Sequence, residues 1–392
     1  MKILPVLFIL IFLVCSCTTT QKRAFIHRDA NVKDYQWLPS RTISLGKEVR
    51  VFAQKPDEKI KQQILEFLGF SDMQAALKKT RTQALIVVQG EYILLEEYGK
   101  NYNHDSIVTS FSVAKSINSA MVGTLIDSGK IKSEDEPVTN FIPELLERDE
   151  HFSKITIKNL LNMSSGIVYA ETPNPRMDNT ETYYNPNLRN LALTNTLIKE
   201  EPGKHFLYNN YNPLLLGLII ERATKQNVCD YLSQSIWSKI GCECDATWSL
   251  DSDEDAFEKM ESGINTIAMD FVRFACLYRD GGKVFGKQLV SEEWIKKSIS
   301  TQAHQVDYYS DDWGKDIFYH GASYGLGWYV FADDNFSDSK TSAALPDFFG
   351  IGNKGQIIYI SPSRNMVMAR FGEQNIISLW KWIEAFRDLP RR

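Results

Sequence analysis

Histidine and cysteine are scarce in this chain, with six of each among 392 residues. The histidines are scattered, no His-Glu-x-x-His occurs, and Cys242-Glu243-Cys244 is not a metal motif by itself, so no metal site is expected. Basic runs are missing too. Lys and Arg number 44 against 49 Asp and Glu, a net charge of -5, and the densest basic cluster, Lys78-Lys79-Thr80-Arg81, reads as a solvated helix end. Nucleic-acid binding is therefore not expected. Repeats and low-complexity tracts are absent. The 43% hydrophobic and 12% aromatic content suffices for a full core, which argues against disorder.

No apolar run is long enough to span a membrane comfortably. The one from Ile3 to Val14 follows Met1-Lys2 and reads as an export signal. It ends in Val14-Cys15-Ser16-Cys17, which looks like a lipobox: small residues precede a cysteine that is acylated and becomes the mature N-terminus. Cys17 fits better than Cys15, because Phe12-Leu13-Val14 puts no small residue directly before Cys15. The alternative is an ordinary secretory signal with incidental cysteines. On the lipobox reading residues 1–16 are the signal peptide, 17–56 a tether and N-terminal segment, and 57–392 the main domain. Lipid on Cys17 would hold that domain to a membrane of the bacterial cell envelope without a spanning helix. Such a compartment permits a disulfide among Cys229, Cys242, Cys244 and Cys276, for example Cys229 with Cys242 or Cys244, but the pairing stays open.

Apolar residues at Ile60, Ile64, Leu65, Phe67 and Leu68 make a helical stripe, and Asp72 to Lys79 continues as a second short helix. The β-rich runs Ala84 to Val88 and Tyr92 to Tyr98 flank Gln89-Gly90 and predict a hairpin. From Phe111 to about Ile299 helical periodicity dominates. Predicted pieces lie at 113–126, 157–161, 188–198, 211–222, 228–240, 268–278 and 294–299. The polar stretch Thr172 to Arg189, with Pro173, Pro175 and Pro186, predicts a long functional loop. Strands return at 324–331, 356–361 and 365–371, and Asn375 to Phe386 closes the chain as an amphipathic helix. The pattern predicts one sheet assembled from both chain ends, with a helical insertion at about 111–300 and a site in the cleft between the layers.

Ser112-Val113-Ala114-Lys115 opens an amphipathic segment that runs to about Ser128. In a helix Lys115 would project from the same face as Ser112. An amine at a helix N-terminus, if also desolvated, gives up its proton more readily and can serve a hydroxyl as base. Ser-x-x-Lys alone is weak, since about one or two matches arise by chance in a chain this long. Ser44-Leu45-Gly46-Lys47 and Ser337-Asp338-Ser339-Lys340 are such matches, but only Ser112 opens a helix with an apolar face, marked by Val113, Ile117, Met121 and Leu125.

Two rival motifs fail the same test of context. Gly321-Ala322-Ser323-Tyr324-Gly325 fits G-x-S-x-G, yet a predicted strand follows Ser323 and no histidine comes after His320. Gly350-Ile351-Gly352-Asn353-Lys354-Gly355 fits G-x-G-x-x-G, yet Gln356-Ile357-Ile358-Tyr359 reads as strand where a dinucleotide fold needs a helix. Tyr208-Asn209-Asn210 places a phenol and an amide at a loop-to-helix junction, where both can face a cleft. It could equally be a capping loop with a buried tyrosine, and Tyr183-Tyr184-Asn185 repeats the pattern.

Taken together, Ser112-x-x-Lys115, Tyr208-x-Asn210 and the glycine-rich stretch near Gly352 resemble the serine β-lactamase and penicillin-recognising hydrolase superfamily. The likeness is strongest to its class C branch, with the esterases, D-amino-acid peptidases and 6-aminohexanoate-dimer hydrolases. It covers about Gln83 to Phe371. It includes Leu160-Leu161-Asn162-Met163-Ser164-Ser165-Gly166, similar to L-L-x-M-x-S-G, and Tyr324-Gly325-Leu326-Gly327-Trp328, similar to Y-G-x-G-W. Ile236-Trp237 with Ile240-Gly241, and Ala246-Thr247-Trp248-Ser249-Leu250-Asp251, look like the nylon-oligomer hydrolase subgroup.

The resemblance implies an α/β fold of the β-lactamase/transpeptidase-like type, an antiparallel sheet from N- and C-terminal segments flanked by helices. It implies Ser112 as nucleophile, Lys115 as its base, Tyr208 as proton relay to the leaving group and Asn210 as holder of the substrate amide. The oxyanion hole would join the Ser112 N–H to one near Gly352, and Tyr169 is a candidate for shaping the acyl pocket. No cofactor is implied. The expected partner is a small-molecule amide or ester substrate, and the protein is expected to be a monomer. The departure is in the third motif. Where penicillin-binding members have Lys-Thr-Gly, this chain has Phe349 to Gln356, similar to a G-x-G-x-x-G-Q version, and Lys354 reads as an exposed loop lysine. Ester or amide hydrolysis fits better than β-lactam turnover. A D-amino-acid peptidase and a non-catalytic binding relative remain the alternatives.

Overall fold

Ala84 to Val88 is apolar at every position, as suits a strand covered on both faces. In the computed structural model, which describes residues 18–170, 177–300, 312–331, 345–374 and 376–390, this run lies within the largest sheet. In chain order the strands are β1 (Ser40–Ile43), β2 (Ala53–Gln54), β3 (Thr82–Gln89), β4 (Tyr92–Tyr98), β5 (Ile107–Thr109), β6 (Ala246–Ser249) and β7 (Ile264–Ile267). There follow β8 (Lys283–Val284), β9 (Lys287–Gln288), β10 (Ala322–Tyr324), β11 (Tyr329–Phe331), β12 (Phe348–Gly352), β13 (Gln356–Ser361) and β14 (Met366–Gly372).

The large sheet has the order β10-β11-β12-β13-β14-β3-β4-β2, antiparallel except for β2 against β4. The N-terminal hairpin β3–β4 thus joins the C-terminal meander through β14, with Ala369 opposite Ile86. Side chains of β3 alternate between two cores. Ala84, Ile86 and Val88 face the first, built on α2 (Ala114–Asp127), α4 (Tyr211–Thr224) and α5 (Ala268–Arg279). Leu85 and Val87 face the second, under the helices Glu58–Leu68, Met73–Thr80 and α6 (Leu379–Arg387). The expected sheet from both chain ends is present, and the helical insertion lies between them.

The structure differs from the sequence reading in several places. A second, four-stranded sheet, β1-β6-β7-β5, joins β1 and β5, which precede the insertion, to β6 and β7 within it, and strands of three or four residues did not announce it. The predicted strand at 324–331 is a hairpin, β10–β11, turned by Gly325 to Trp328. The predicted loop 172–189 contains α3 (Asp178–Tyr184), while residues 171–176 fall outside the described ones. Residues 18–56, read as a tether, fold onto the domain: α1 (Thr19–His27) packs against α3, and β1 pairs with β6. The cysteines Cys229, Cys242, Cys244 and Cys276 are all free thiols. Their side chains are spent elsewhere: Cys229 lies beside Arg41 and Cys244 beside Thr266 and Asp270.

His104 ties the large sheet to the insertion. Its Nδ1 lies 2.9 Å from Glu96 on β4, and its Nε2 lies 2.6 Å from Glu243, which also pairs with the buried Arg273 of α5. Burial pulls the His104 pKa down, but hydrogen bonds to Glu243 and Glu96 and their charges outweigh this and raise it above the ordinary 6.5. Protonation therefore favours the folded state. The bridge contributes fully below the unfolded value and its contribution is lost as pH rises through the higher folded one. Urea midpoints of wild type and His104→Gln should differ most near pH 6 and converge as the pH is raised above 8; a gap that stays constant with pH would exclude the charged bridge.

Candidate active site

Ser112 stands where β5 ends and α2 begins. Ser110 fixes the strand side, its N–H donating to the Ile264 carbonyl at 2.8 Å and its hydroxyl accepting from the Ile264 N–H at 3.1 Å. Phe111 then takes a φ of 40°, a left-handed conformation that is rare for an aromatic residue. Strain of this kind costs about 1–3 kcal/mol and persists only where the surroundings enforce it. The chain passes through a 3-10 turn, Phe111–Val113, into α2, leaving Ser112 half-buried at the helix start.

Lys115, one turn on, is buried at 3% exposure. Its Nζ donates to Ser112 Oγ at 3.0 Å and to the Glu261 carbonyl at 3.0 Å, and lies 4.9 Å from the centre of the Tyr208 ring. Ser112, Lys115 and Tyr208 thus form one cluster. The Tyr208 ring meets Tyr324 edge-on at 6.2 Å, and a side-chain hydrogen bond joins it to Tyr329. Burial, with Tyr208 and Tyr324 close by, pushes the Tyr329 phenol well above its ordinary range, so it stays protonated.

The Leu160 to Gly166 segment and the Tyr208 loop hold one another. The Leu207 N–H donates to the Met163 carbonyl at 2.9 Å, Asn209 Nδ2 to the Ile167 carbonyl at 2.9 Å, and the Ser165 hydroxyl to Asn212 at 2.7 Å. The segment around Met163-Ser164-Ser165-Gly166 therefore clamps the loop that carries Tyr208 onto the start of α4. Asn210 is held from the other side, its Nδ2 donating to the Tyr169 hydroxyl at 2.8 Å, while its Oδ1 is buried without a hydrogen-bond partner. Tyr169 also reaches Thr182 of α3 at 3.2 Å. Tyr169 thereby links Asn210 to α3, and it also lines a cavity with Gly166, Lys199, His205 and Leu207.

Glycine shapes the opposite wall. A Cβ on Gly352 would stand 2.4 Å from the Ser110 carbonyl, and one on Gly350 3.1 Å from Ser116 Oγ. Both lie on the face of β12 that meets the turn carrying Ser112, so the G-x-G spacing is a period-two strand pattern that permits this close approach. Gly327, at φ 85°, does the same from the β10–β11 turn: its Cβ would fall 2.8 Å from the Lys115 carbonyl, and its own carbonyl accepts from the Ser116 hydroxyl at 2.7 Å.

Sequence reasoning missed the loop behind Lys115. Glu261 and Lys259 form a buried ion pair at 3.0 Å, Lys259 donates to the Tyr183 carbonyl at 2.6 Å, and Asn118 of α2 donates to the Met260 carbonyl at 2.8 Å. Asp251, the end of the Ala246 to Asp251 motif, is structural: it accepts from the N–H groups of Leu188, Ser252 and Phe257, and burial raises its pKa to about 7. Tyr183 and Tyr184, the repeat of the Tyr-x-Asn pattern, donate to Asp34 and to the Arg28 carbonyl. The rival Ser323 sits within β10, Ser44 in a loop after β1, and Ser337 and Lys340 outside the described residues, as does Cys17. Among the described residues no group of three or more His, Cys, Asp or Glu is placed to hold a metal ion.

The Beta-lactamase family profile matches residues 70–375, a span that contains every element of this cluster. The chain belongs to the beta-lactamase family. It is 26% identical over 309 residues to the 6-aminohexanoate-dimer hydrolase of Paenarthrobacter ureafaciens, covering 76% of this chain and 74% of that one. A solved Bacillus anthracis protein assigned as a 6-aminohexanoate-dimer hydrolase superposes with a TM-score of 0.74 at 20% identity, over 92% of each chain. A class C beta-lactamase superposes at 0.59 and 15% identity, over 85% of this chain and 97% of that one. These neighbours share the β-lactamase/transpeptidase-like fold.

The close approach of β12 leads to a test. Gly352→Ala should keep its far-UV circular dichroism while its rate of labelling by a fluorophosphonate falls about a hundredfold, the scale of one lost oxyanion donor. A folded variant that labels at the wild-type rate would show that this approach is not needed.

Proposed function

We propose that the protein is a serine hydrolase that cleaves amide or ester bonds of small molecules through an acyl-enzyme on Ser112. The observation that carries this reading is the 3.0 Å hydrogen bond between Ser112 Oγ and Lys115 Nζ at a helix start pressed against β12. Lys115 takes the hydroxyl proton as Ser112 Oγ attacks the carbonyl carbon. The oxyanion gathers at the Ser112 N–H and a backbone N–H near Gly352. Collapse expels the amine or alcohol, which receives the proton by way of Tyr208, and Asn210 holds the acyl-side amide. Water entering on the Tyr208 and Lys115 side then loses a proton to the same pair and releases the acid, restoring Ser112. Every step uses groups of this chain and water.

Linear amides and esters are favoured over β-lactams for two reasons. No Lys-Thr-Gly stands at Phe349 to Gln356, so the β-lactam carboxylate has no usual holder. The 26% identical relative is by name a hydrolase of a dimer of 6-aminohexanoate, a linear amide. The lipobox-like Val14 to Cys17 supports a further part of this reading, acylation of Cys17 and attachment to a membrane of the bacterial cell envelope.

Wild type should react with a fluorophosphonate and turn over p-nitrophenyl esters or anilides, with little or no cephalosporin or D-Ala-D-Ala cleavage. Ser112→Ala should abolish both, and Lys115→Ala should lower kcat/KM by about a hundred- to ten-thousandfold. Equal labelling of Ser112→Ala would refute the mechanism, unlabelled wild type would favour a binding relative, and D-Ala-D-Ala turnover would favour the peptidase. Separately, radiolabelled palmitate should enter the full chain and be absent from Cys17→Ala; label that persists in the variant would refute the anchor.

A further inference from the structure

The helix that follows the lipobox is built inside out. On a surface helix the apolar residues face the protein and the polar ones face water. In α1 the inward stripe is Thr20, Arg23, Ala24 and His27, at helical spacing. Thr20 donates to Glu181 of α3 at 3.2 Å, Arg23 to the Tyr184 carbonyl at 3.3 Å and the Asp251 carbonyl at 2.6 Å, and His27 stacks on Trp37 at 3.7 Å. The outward face carries the two large apolar side chains, Phe25 at 83% and Ile26 at 69% exposure. Lys22, three and four residues before them, shares that face, and Arg28 and Lys33 are exposed beyond, with Asp29 the nearby acid.

The helix has no slack at its start. Thr18 is already its N-cap, accepting from the Gln21 N–H at 3.2 Å and donating its own N–H to the Gln21 side chain at 3.0 Å. Cys17 is the residue before it. At 1.5 Å per residue, Phe25 lies about 10 Å along the axis from the cap. A lipid-bearing Cys17 would therefore bring the bilayer to this helix.

We propose that the outward face of α1 docks on the membrane surface, with Phe25 and Ile26 seated among the acyl chains and Lys22 and Arg28 on anionic headgroups. This rests on the acylation of Cys17, which supplies the attachment; the face supplies the orientation. Apolar side chains flanked by cations are the composition of an interfacial helix. The enzyme is then held rigidly against the membrane, and α3, the bed of α1, is also the helix that Tyr169 touches behind Asn210.

A photo-crosslinking amino acid placed at position 25 or 26 of the full chain, in membranes of producing cells, tests this. Lipid adducts should form at both positions, several-fold above those at position 319, where the native Tyr319 is equally exposed on another helix. Adducts to protein, or lipid yields no higher than at position 319, would overturn the proposal. Palmitate labelling of the same samples separates the causes: label present without lipid adducts refutes the docking face alone, and label absent refutes the anchor and the docking that depends on it. Phe25→Ser/Ile26→Ser should keep wild-type esterase activity, and the yield from a crosslinker at position 22 should fall several-fold; an unchanged yield would count against seating by these side chains.

Discussion

The contact on which the site depends is backbone against backbone, where β12 meets the turn that carries Ser112. Side-chain-free positions at Gly350 and Gly352 let the strand reach the Ser110 carbonyl and the Ser116 hydroxyl. Gly327 makes the same kind of approach to the Lys115 carbonyl from the adjoining hairpin. The helix start is thereby gripped from the sheet, and the strained Phe111 between Ser110 and Ser112 is held in place by that grip.

The polar side of the site is fixed from behind by groups that would not face a substrate. The carbonyl that receives Lys115 belongs to Glu261, whose carboxylate is paired with Lys259 at 1% and 3% side-chain exposure for Lys259 and Glu261. Burying such a pair costs desolvation, and losing one partner typically costs about 3–5 kcal/mol because the other charge is stranded. The pair also ties the loop to α3 through the Tyr183 carbonyl. One short helix is therefore linked to Lys115 on one side, to Tyr169 and Asn210 on another, and to α1 on its outer face.

The sequence by itself determined the local chemistry and the broad layering. Ser-x-x-Lys at a helix start, the largely apolar runs of β3, β13 and β14, and an amphipathic last helix are each patterns among near neighbours, and such patterns survive in one dimension. The same holds for rejecting Ser323 and the G-x-G-x-x-G match, since both turn on which element follows. What only the tertiary structure decided depends on which distant segments touch. The four-stranded sheet joins strands of three or four residues from positions 40 to 267, too short to show a period. The burial of Lys259 and Glu261, the φ of Phe111, the free thiols and the inverted face of α1 cannot be seen locally, because charge and hydrophobicity read as outward or inward only by rule. The glycines near Gly352 were visible as a motif, but their purpose was not. It lies in the missing Cβ atoms, and their absence matters only once the chain brings Ser110 and Ser116 against them.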